Sequence, residues 1–300
     1  MDQMNGVLRV SKRAIAVFVL PCLLMYVVFV FVPILVSFYY SLAEWTGIGT
    51  PKFIGFQNYV EMFTNDSIFW PSVYRTLIFA LFSVGEIPIV LWIAILMTRY
   101  LRRPNFLISS YFLPVILSVV VVGQLWSTIY NPASLGGMLN KVLIGLGLES
   151  WTHAWLSDPK FAMYAIYFVA LWQYLGYHIL IQFTGIQGVP KEIYEAARID
   201  GAEGFTADRY ITIPLVMPII KISIVLAVIG SLKAFDMIMV MTAGGPAHAT
   251  DVISTHMYNM SFLSQKYGYG SAISSFLVVE CLVATVLLNA LFRRSENQLS

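Results

Sequence analysis

Charge is scarce in this chain. Only 11% of its 300 residues are Asp, Glu, Lys or Arg, while 58% are hydrophobic. Water-soluble domains carry roughly 25% charged residues, so this composition excludes an ordinary soluble domain and indicates a helical membrane protein. Cysteine is as sparse. Cys22 and Cys281 both fall in apolar runs, where thiols read as packing residues rather than as a disulfide or metal site. No G-x-x-x-x-G-K-[ST] phosphate loop is present; Gly244-Gly245-Pro246 has no Lys-Ser/Thr after it. No apolar run carries a His/Glu metal set or a Ser/His pair at useful spacing, and His178 has no second ligand at metal spacing. Neither an ATPase, an intramembrane enzyme nor a metal centre is therefore expected. Internal repeats and low-complexity segments are lacking too.

What fills the chain is a set of long apolar runs. Six are long enough to cross a bilayer, at about 14–42, 72–98, 107–129, 161–186, 215–241 and 271–292, since about 20 apolar residues span the hydrocarbon. Backbone groups in lipid must bond internally, so these runs are expected to be helices. The first is too long for a signal-peptide core and lacks a small-residue cleavage site, and it reads as a retained span. The prediction is an all-α integral membrane fold with six transmembrane helices, forming a single domain over 1–300.

Lys and Arg set the orientation. Twelve of the 18 fall on one side, from Arg9, Lys12 and Arg13 through Arg99, Arg102, Arg103, Lys191, Arg198, Arg209 and Lys221 to Arg293 and Arg294. Five fall on the other side, and Lys233 lies within a span. Both termini and the 187–214 loop are therefore expected in the cytoplasm. The loops of the opposite side, about 43–71, 130–160 and 242–270, are rich in aromatics, Gly, Pro and Asn. They read either as a structured cap around a cavity mouth or a surface for an extracellular partner, or as ordinary interfacial loops with an aromatic belt.

The 187–214 loop holds most of the acids of its side. Pro190 suits the first turn of a helix, and Glu192 and Glu195 sit near its N-terminus, where the helix dipole favours carboxylates. Gly201 is placed to break that helix. A second short polar helix is predicted from about Ala202 to Tyr210, with Pro214 opening the next span. A helix-turn-helix with small alanines lying against the bilayer can fill a groove on a soluble partner.

The spacing is specific: Glu195-Ala196-Ala197, then Gly201, Ile211 and Ile213-Pro214. It resembles the EAA loop of the membrane subunits of binding-protein-dependent ABC importers, in their maltose- and oligosaccharide-type sugar-permease branch. FIGFQNYVEMF (53–63), YFLPVILSVVVVGQLWSTIYNP (111–132), ALWQYLGYHILIQFTGIQGVPKEIYEAARIDGA (170–202) and KAFDMIMVMTAGGPAHAT (233–250) extend the resemblance over most of the chain. Thr184 and Glu86 depart from the usual pattern of that branch. The resemblance implies a multi-pass subunit of the bacterial cytoplasmic (inner) membrane that pairs with a second, related permease. Two cytoplasmic ATPase subunits and an extracellular sugar-binding protein complete the complex, in membrane lipid and with no nucleic acid. It implies that Glu195, Ala196, Ala197, Asp200 and Gly201 contact the ATPase, Glu195 by a salt bridge. No catalytic residue and no cofactor are expected on this chain, ATP and Mg belonging to the ATPase partners.

Ionisable residues within spans are costly and invite a functional reading. Glu86, Lys233, Asp236 and Glu280 qualify. Lys233 and Asp236, three apart, are expected on one face of the fifth span, as an ion pair or as part of the pathway. Glu86 and Glu280 are expected to bond neighbouring helices. In the fourth span Tyr174, Tyr177 and His178 share a face by helical spacing. By analogy with where the family holds sugar, Tyr174, Tyr177 and Ser231 line the pathway with Lys233 and Asp236. The expected substrate is a di- or oligosaccharide. The alternatives are glycerol-3-phosphate or another small polar solute, for which only Lys233 offers a cation, and an ion-coupled secondary transporter, which the missing repeat disfavours.

Overall fold

A computed structural model describes residues 12–296 of the chain, and side chains over 16–293. Arg9 and the side chains of Lys12, Arg13 and Arg294, which entered the charge asymmetry, lie outside those. Among the described residues, five helical runs are long and apolar enough to span a membrane: Ala16–Ser41, Phe69–Tyr100, Ala162–Gln187, Phe205–Leu232 and Tyr267–Arg293. A bent helix pair, Asn105–Ile116 with Val119–Ile129, makes a sixth.

The chain divides into two compact units. The first comprises Met1–Asn65 and Met257–Phe276. In it α1 (Lys12–Tyr26) and α2 (Val32–Ser41) run on through a π-turn at Val27–Phe31. Antiparallel strands β1 (Ala43–Glu44) and β2 (Lys52–Phe53) follow, then α3 (Gln57–Thr64). Buried Asn58 organises this turn, its Nδ2 donating to the Ser41 and Ala43 carbonyls at 2.9 and 3.0 Å. Trp45 stacks on Tyr40 and its carbonyl accepts from the Gly268 amide.

The second unit comprises Asp66–His256 and Leu277–Ser300. Its elements begin with α4 (Phe69–Tyr100), α5 (Asn105–Ile116), α6 (Val119–Ile129) and α7 (Met138–Gly145). They continue with α8 (Ala162–Gln187), α9 (Lys191–Ile199), α10 (Phe205–Ala207), α11 (Ile213–Leu232) and α12 (Asp236–Met241). Helices α13 (Ile253–Tyr258) and α14 (Tyr267–Glu296) each run across the division between the units. Near-continuous apolar sequence lets α4, α8 and α11 bury faces on one another. Ile87, Val90 and Ala94 meet Ile179, Phe183, Val216 and Ile220 in one core, and Phe79, Ile166 and Tyr167 meet Met237 and Ile238 in another.

Two predicted spans are not single helices. The run at 107–129 bends by 93° between α5 and α6. The carbonyls of Pro114 and Leu117 at the bend accept from Gln173 Nε2 of α8 at 3.4 and 3.3 Å. One turn along α8, Gly176 lies against the Tyr111 backbone, where any Cβ would collide. The run at 215–241 stops at Leu232, and α12 starts only at Asp236. Lys233 and Asp236 therefore stand on opposite sides of a break, not on one helix face, and among the described residues they form no ion pair. Ser254 Oγ donates to the Ala234 carbonyl in the gap.

The 242–251 turn is a hydrogen-bonded structure rather than a loose loop. Buried Asp251 meets His248 Nδ1 through Oδ2 at 2.6 Å, accepts from Thr255 Oγ1 through Oδ1, and offers its carbonyl to Arg75 Nη1. Asp66 Oδ1 caps α4 through the Ile68 and Phe69 amides, and its Oδ2 holds buried His256 Nε2 at 2.6 Å. These bonds give the turn a fixed structure.

Gly176→Val should cost about 1–3 kcal/mol, the usual range for overpacking, and appear as a lowered unfolding temperature of the detergent-purified protein. Gly85 has open space around it. Gly85→Ala should hold or raise that temperature, because Ala favours helix by up to about 1 kcal/mol over Gly.

Candidate functional site

Beside the second helix break lies a cavity of about 320 Å³ walled by α4, α8, α11 and the 233–237 segment. This is at the small end of the roughly 300–1,000 Å³ range of ligand sites. All five residues predicted to line a pathway are in its wall: Tyr174, Tyr177, Ser231, Lys233 and Asp236. The helical spacing of Tyr174, Tyr177 and His178 brings them onto one face of α8 as expected, and the Tyr177 and His178 rings meet edge to face at 5.4 Å.

The wall is not uniform in what it offers. Tyr174, Lys233 and Asp236 are exposed, while Ser231 is buried at the seam with α4. Ser231 Oγ donates to the Ala227 carbonyl at 2.9 Å, so the 2.7 Å bond between the Ser83 and Ser231 hydroxyls has Ser83 as its donor. Ser231 thus keeps no free proton for a ligand. Glu86 and His178 also line the cavity, at 8% and 6% exposure, and Glu86 Oε1 and His178 Nδ1 have no hydrogen-bond partner among the described residues. Glu280 Oε2 is likewise unbonded. The helix-to-helix bonds expected of Glu86 and Glu280 are therefore not made through those oxygens, and Glu86 belongs with the cavity. With two carboxylates, one ammonium and two phenols, the wall presents hydrogen-bonding groups of mixed sign, a poor match to a phosphate.

The polar loop is built as a cap on α9. Gly201 takes φ +80°. Its amide donates to the Arg198 carbonyl at 3.1 Å, and the Ala202 amide donates to the Ala197 carbonyl at 2.8 Å. This pair of bonds is a Schellman ending, which favours glycine at its left-handed position. Glu195, Ala196, Asp200 and Gly201 are exposed, but Ala197 is 8% exposed and packs inward. Ala197 can support the loop without touching a partner. The predicted second helix differs as well. It starts at Phe205 and passes through a π-turn at Asp208–Thr212 into α11 without a break, so Pro214 lies inside a continuous run.

Residues absent from the sequence-derived site also stand out. Ile199 and Phe205 project from the loop at 87% and 76% exposure, an unusual state for large apolar side chains flanking a polar turn. Arg198 Nε donates to Glu203 Oε1 at 2.7 Å across the exposed loop, and this bond holds the Arg198 guanidinium above its ordinary pKa. Arg99, in the last turn of α4, pairs with Asp208 of the π-turn at 2.5 Å. Apolar residues beside the 195–201 motif were a readable signal for the first two. A pair 109 residues apart has no local signal.

Residues 72–297, which include both the cavity and the loop, match the family described as binding-protein-dependent transport system inner membrane component. A probable ABC transporter permease protein of Pyrococcus horikoshii is 38% identical over 91% of this chain and 93% of its own length. The diacetylchitobiose uptake system permease of Streptomyces coelicolor is 32% identical over 89% of this chain and 78% of its own. The lactose transport system permease of Rhizobium radiobacter is 32% identical over 90% and 91%. In fold the chain is similar to a subunit of a bacterial alginate ABC transporter, solved in complex with an alginate pentasaccharide-bound periplasmic protein. That likeness has a TM-score of 0.81 at 22% identity, over 93% of this chain and 94% of that one.

Gly201→Val should cost about 1–2 kcal/mol, the penalty of a left-handed L-residue, and speed amide exchange across 191–212 by about tenfold. Gly201→Asn, which tolerates that conformation better, should show the smaller effect. Equal protection in wild type and the Val variant would contradict the cap.

Proposed function

The chain belongs to the binding-protein-dependent transport system inner membrane component family, and from that premise we propose that it is the transmembrane subunit of an ATP-driven importer of a di- or oligosaccharide. The observation that carries the proposal is one continuous architecture. An exposed polar helix-turn joins α8 to α11, and those two helices, with α4, wall a cavity bearing Tyr174, Tyr177, Lys233 and Asp236. The names of relatives that take up diacetylchitobiose and lactose support a saccharide as cargo.

In this reading the loop and both termini face the cytoplasm, and ATP with its Mg is bound and hydrolysed on two separate ATPase subunits. A second, related permease completes the pathway, and an extracellular binding protein presents the sugar at the opposite face. Glu195, Ala196, Asp200 and Gly201 meet the ATPase. Ile199 and Phe205 add apolar anchorage there, because burying such side chains in a partner groove is favourable. Closure of the ATPase pair displaces the loops and swings the helices between inward-open and outward-open arrangements, a rigid-body switch. In the cavity, tyrosine rings offer apolar faces with hydroxyl handles, and Lys233, Asp236 and Glu86 offer donors and acceptors to sugar hydroxyls.

Two variants separate the ends of this mechanism. Glu195→Lys should abolish co-purification of the ATPase or uncouple its hydrolysis from uptake while leaving membrane insertion unchanged; intact co-purification together with normal uptake would rule out the docking role. Tyr177→Ala should lower sugar uptake by about tenfold, the effect of losing roughly 1.4 kcal/mol of binding, in a complex that still assembles. Undiminished uptake by Tyr177→Ala would remove that residue from the pathway.

A further inference from the structure

The loop that would receive force from the ATPase is covalently continuous with α8 and α11. The third wall of the cavity, α4, has no such connection, although it contributes Phe79, Ser83 and Glu86. Val189 and Ile213 of the loop pack on the core that holds Ala94 and Met97 of α4, and the directional link between α4 and the loop is ionic. Arg99 Nη2, at the end of α4, meets Asp208 Oδ1 at 2.5 Å, with the Asp208 side chain 11% exposed. Asp208 opens the π-turn at Asp208–Thr212, and π-turns recur at functional sites in helices. Thr212 Oγ1 reaches Asp208 Oδ1 at 3.5 Å and shares a 3.2 Å hydrogen bond with Tyr194 Oη. Tyr194 precedes Glu195 on α9. A polar chain therefore runs from the proposed docking helix through the π-turn to α4.

We infer that the Arg99–Asp208 pair is a positioning device that fixes α4 to the coupling loop, so that the loop moves all three cavity walls together. Apolar packing between α4, α8 and α11 is non-directional and resists sliding along a helix axis less than a fixed pair does. The ion pair sets the register at the end of α4 nearest the loop. About 15 Å of helix, at about 1.5 Å per residue, connects Arg99 to Ile89, and this stretch carries the displacement up to Pro88, two residues from Glu86. Neither residue lines the cavity. The inference rests on the importer reading proposed above.

The test uses the assembled complex in proteoliposomes, containing this chain, its co-purifying permease and ATPase, and the sugar-loaded binding protein. Uptake, basal ATP hydrolysis and stimulated hydrolysis are measured for wild type, Arg99→Gln, Asp208→Asn and the double variant. Both single variants should co-purify the ATPase and keep basal hydrolysis within about twofold, and lose about tenfold in uptake and in stimulation, a typical size for coupling between sites. The double variant should be no worse than the single ones, since both remove one interaction. Single variants with uptake within twofold of wild type would overturn the inference, as would a double variant whose losses multiply. Loss of ATPase co-purification in the single variants would make the pair part of docking and also overturn it. Wild-type chain that recovers no ATPase would instead sink the importer reading beneath it.

Discussion

In a bilayer no water is at hand for a freed carbonyl, so a spanning helix can break only where another protein group takes the bonds it loses. That constraint decides where this fold can open. At the α5–α6 bend, Gln173 Nε2 serves the Pro114 and Leu117 carbonyls, and at the α11–α12 gap, Ser254 Oγ serves Ala234. The second break forms part of the cavity wall, and the first is held by Gln173, the neighbour in α8 of the cavity residue Tyr174. Irregular backbone at membrane depth is tolerated where it is buried in protein or lines a cavity. Both breaks obey this, and the second supplies Lys233 and Asp236, whose charges would be expensive facing lipid.

The same economy governs the ends of the helices. Asp66 caps α4 and grips buried His256; Asp251 gathers His248, Thr255 and Arg75; Arg99 closes the far end of α4 on Asp208. Both arginines of α4, Arg75 and Arg99, are thus bonded towards its two ends. Between those ends α4 is apolar apart from Glu86 and a few hydroxyls, and it packs along its length on α8 and α11. A long helix bonded towards both ends and lining a cavity in its middle, with Pro88 as its one interior proline among the described residues, suits a part that moves with the helices it packs on.

Much of this was legible in the sequence, for reasons that differ by feature. Long apolar runs forecast the spans because lipid leaves a helix no alternative. Glu195 to Gly201 was legible because Gly201 meets a local need, a left-handed cap. Tyr174, Tyr177 and Lys233 were found on the cavity because polar residues in an apolar run are rarely idle. What failed was the assumption that helical period continues through a span. It placed Lys233 and Asp236 on one face, although the charges themselves flank the break, and it ran 107–129 straight past Leu117. Ala197 was placed at the ATPase by the family resemblance, and its burial at 8% exposure is a feature of the fold that the motif does not carry. Arg99–Asp208 and Asp66–His256 lie 109 and 190 residues apart, and only the folded chain brings them together.

The central claim is that this chain is the membrane half of an ATP-driven sugar importer. The most direct measurement is affinity purification of the tagged chain from solubilised membranes, with mass spectrometry and an ATPase assay on the eluate. The account predicts a second permease and an ATPase in that eluate, with hydrolysis stimulated by a sugar-loaded binding protein. Recovery of the chain alone, with uptake in proteoliposomes driven by an ion gradient, would contradict it.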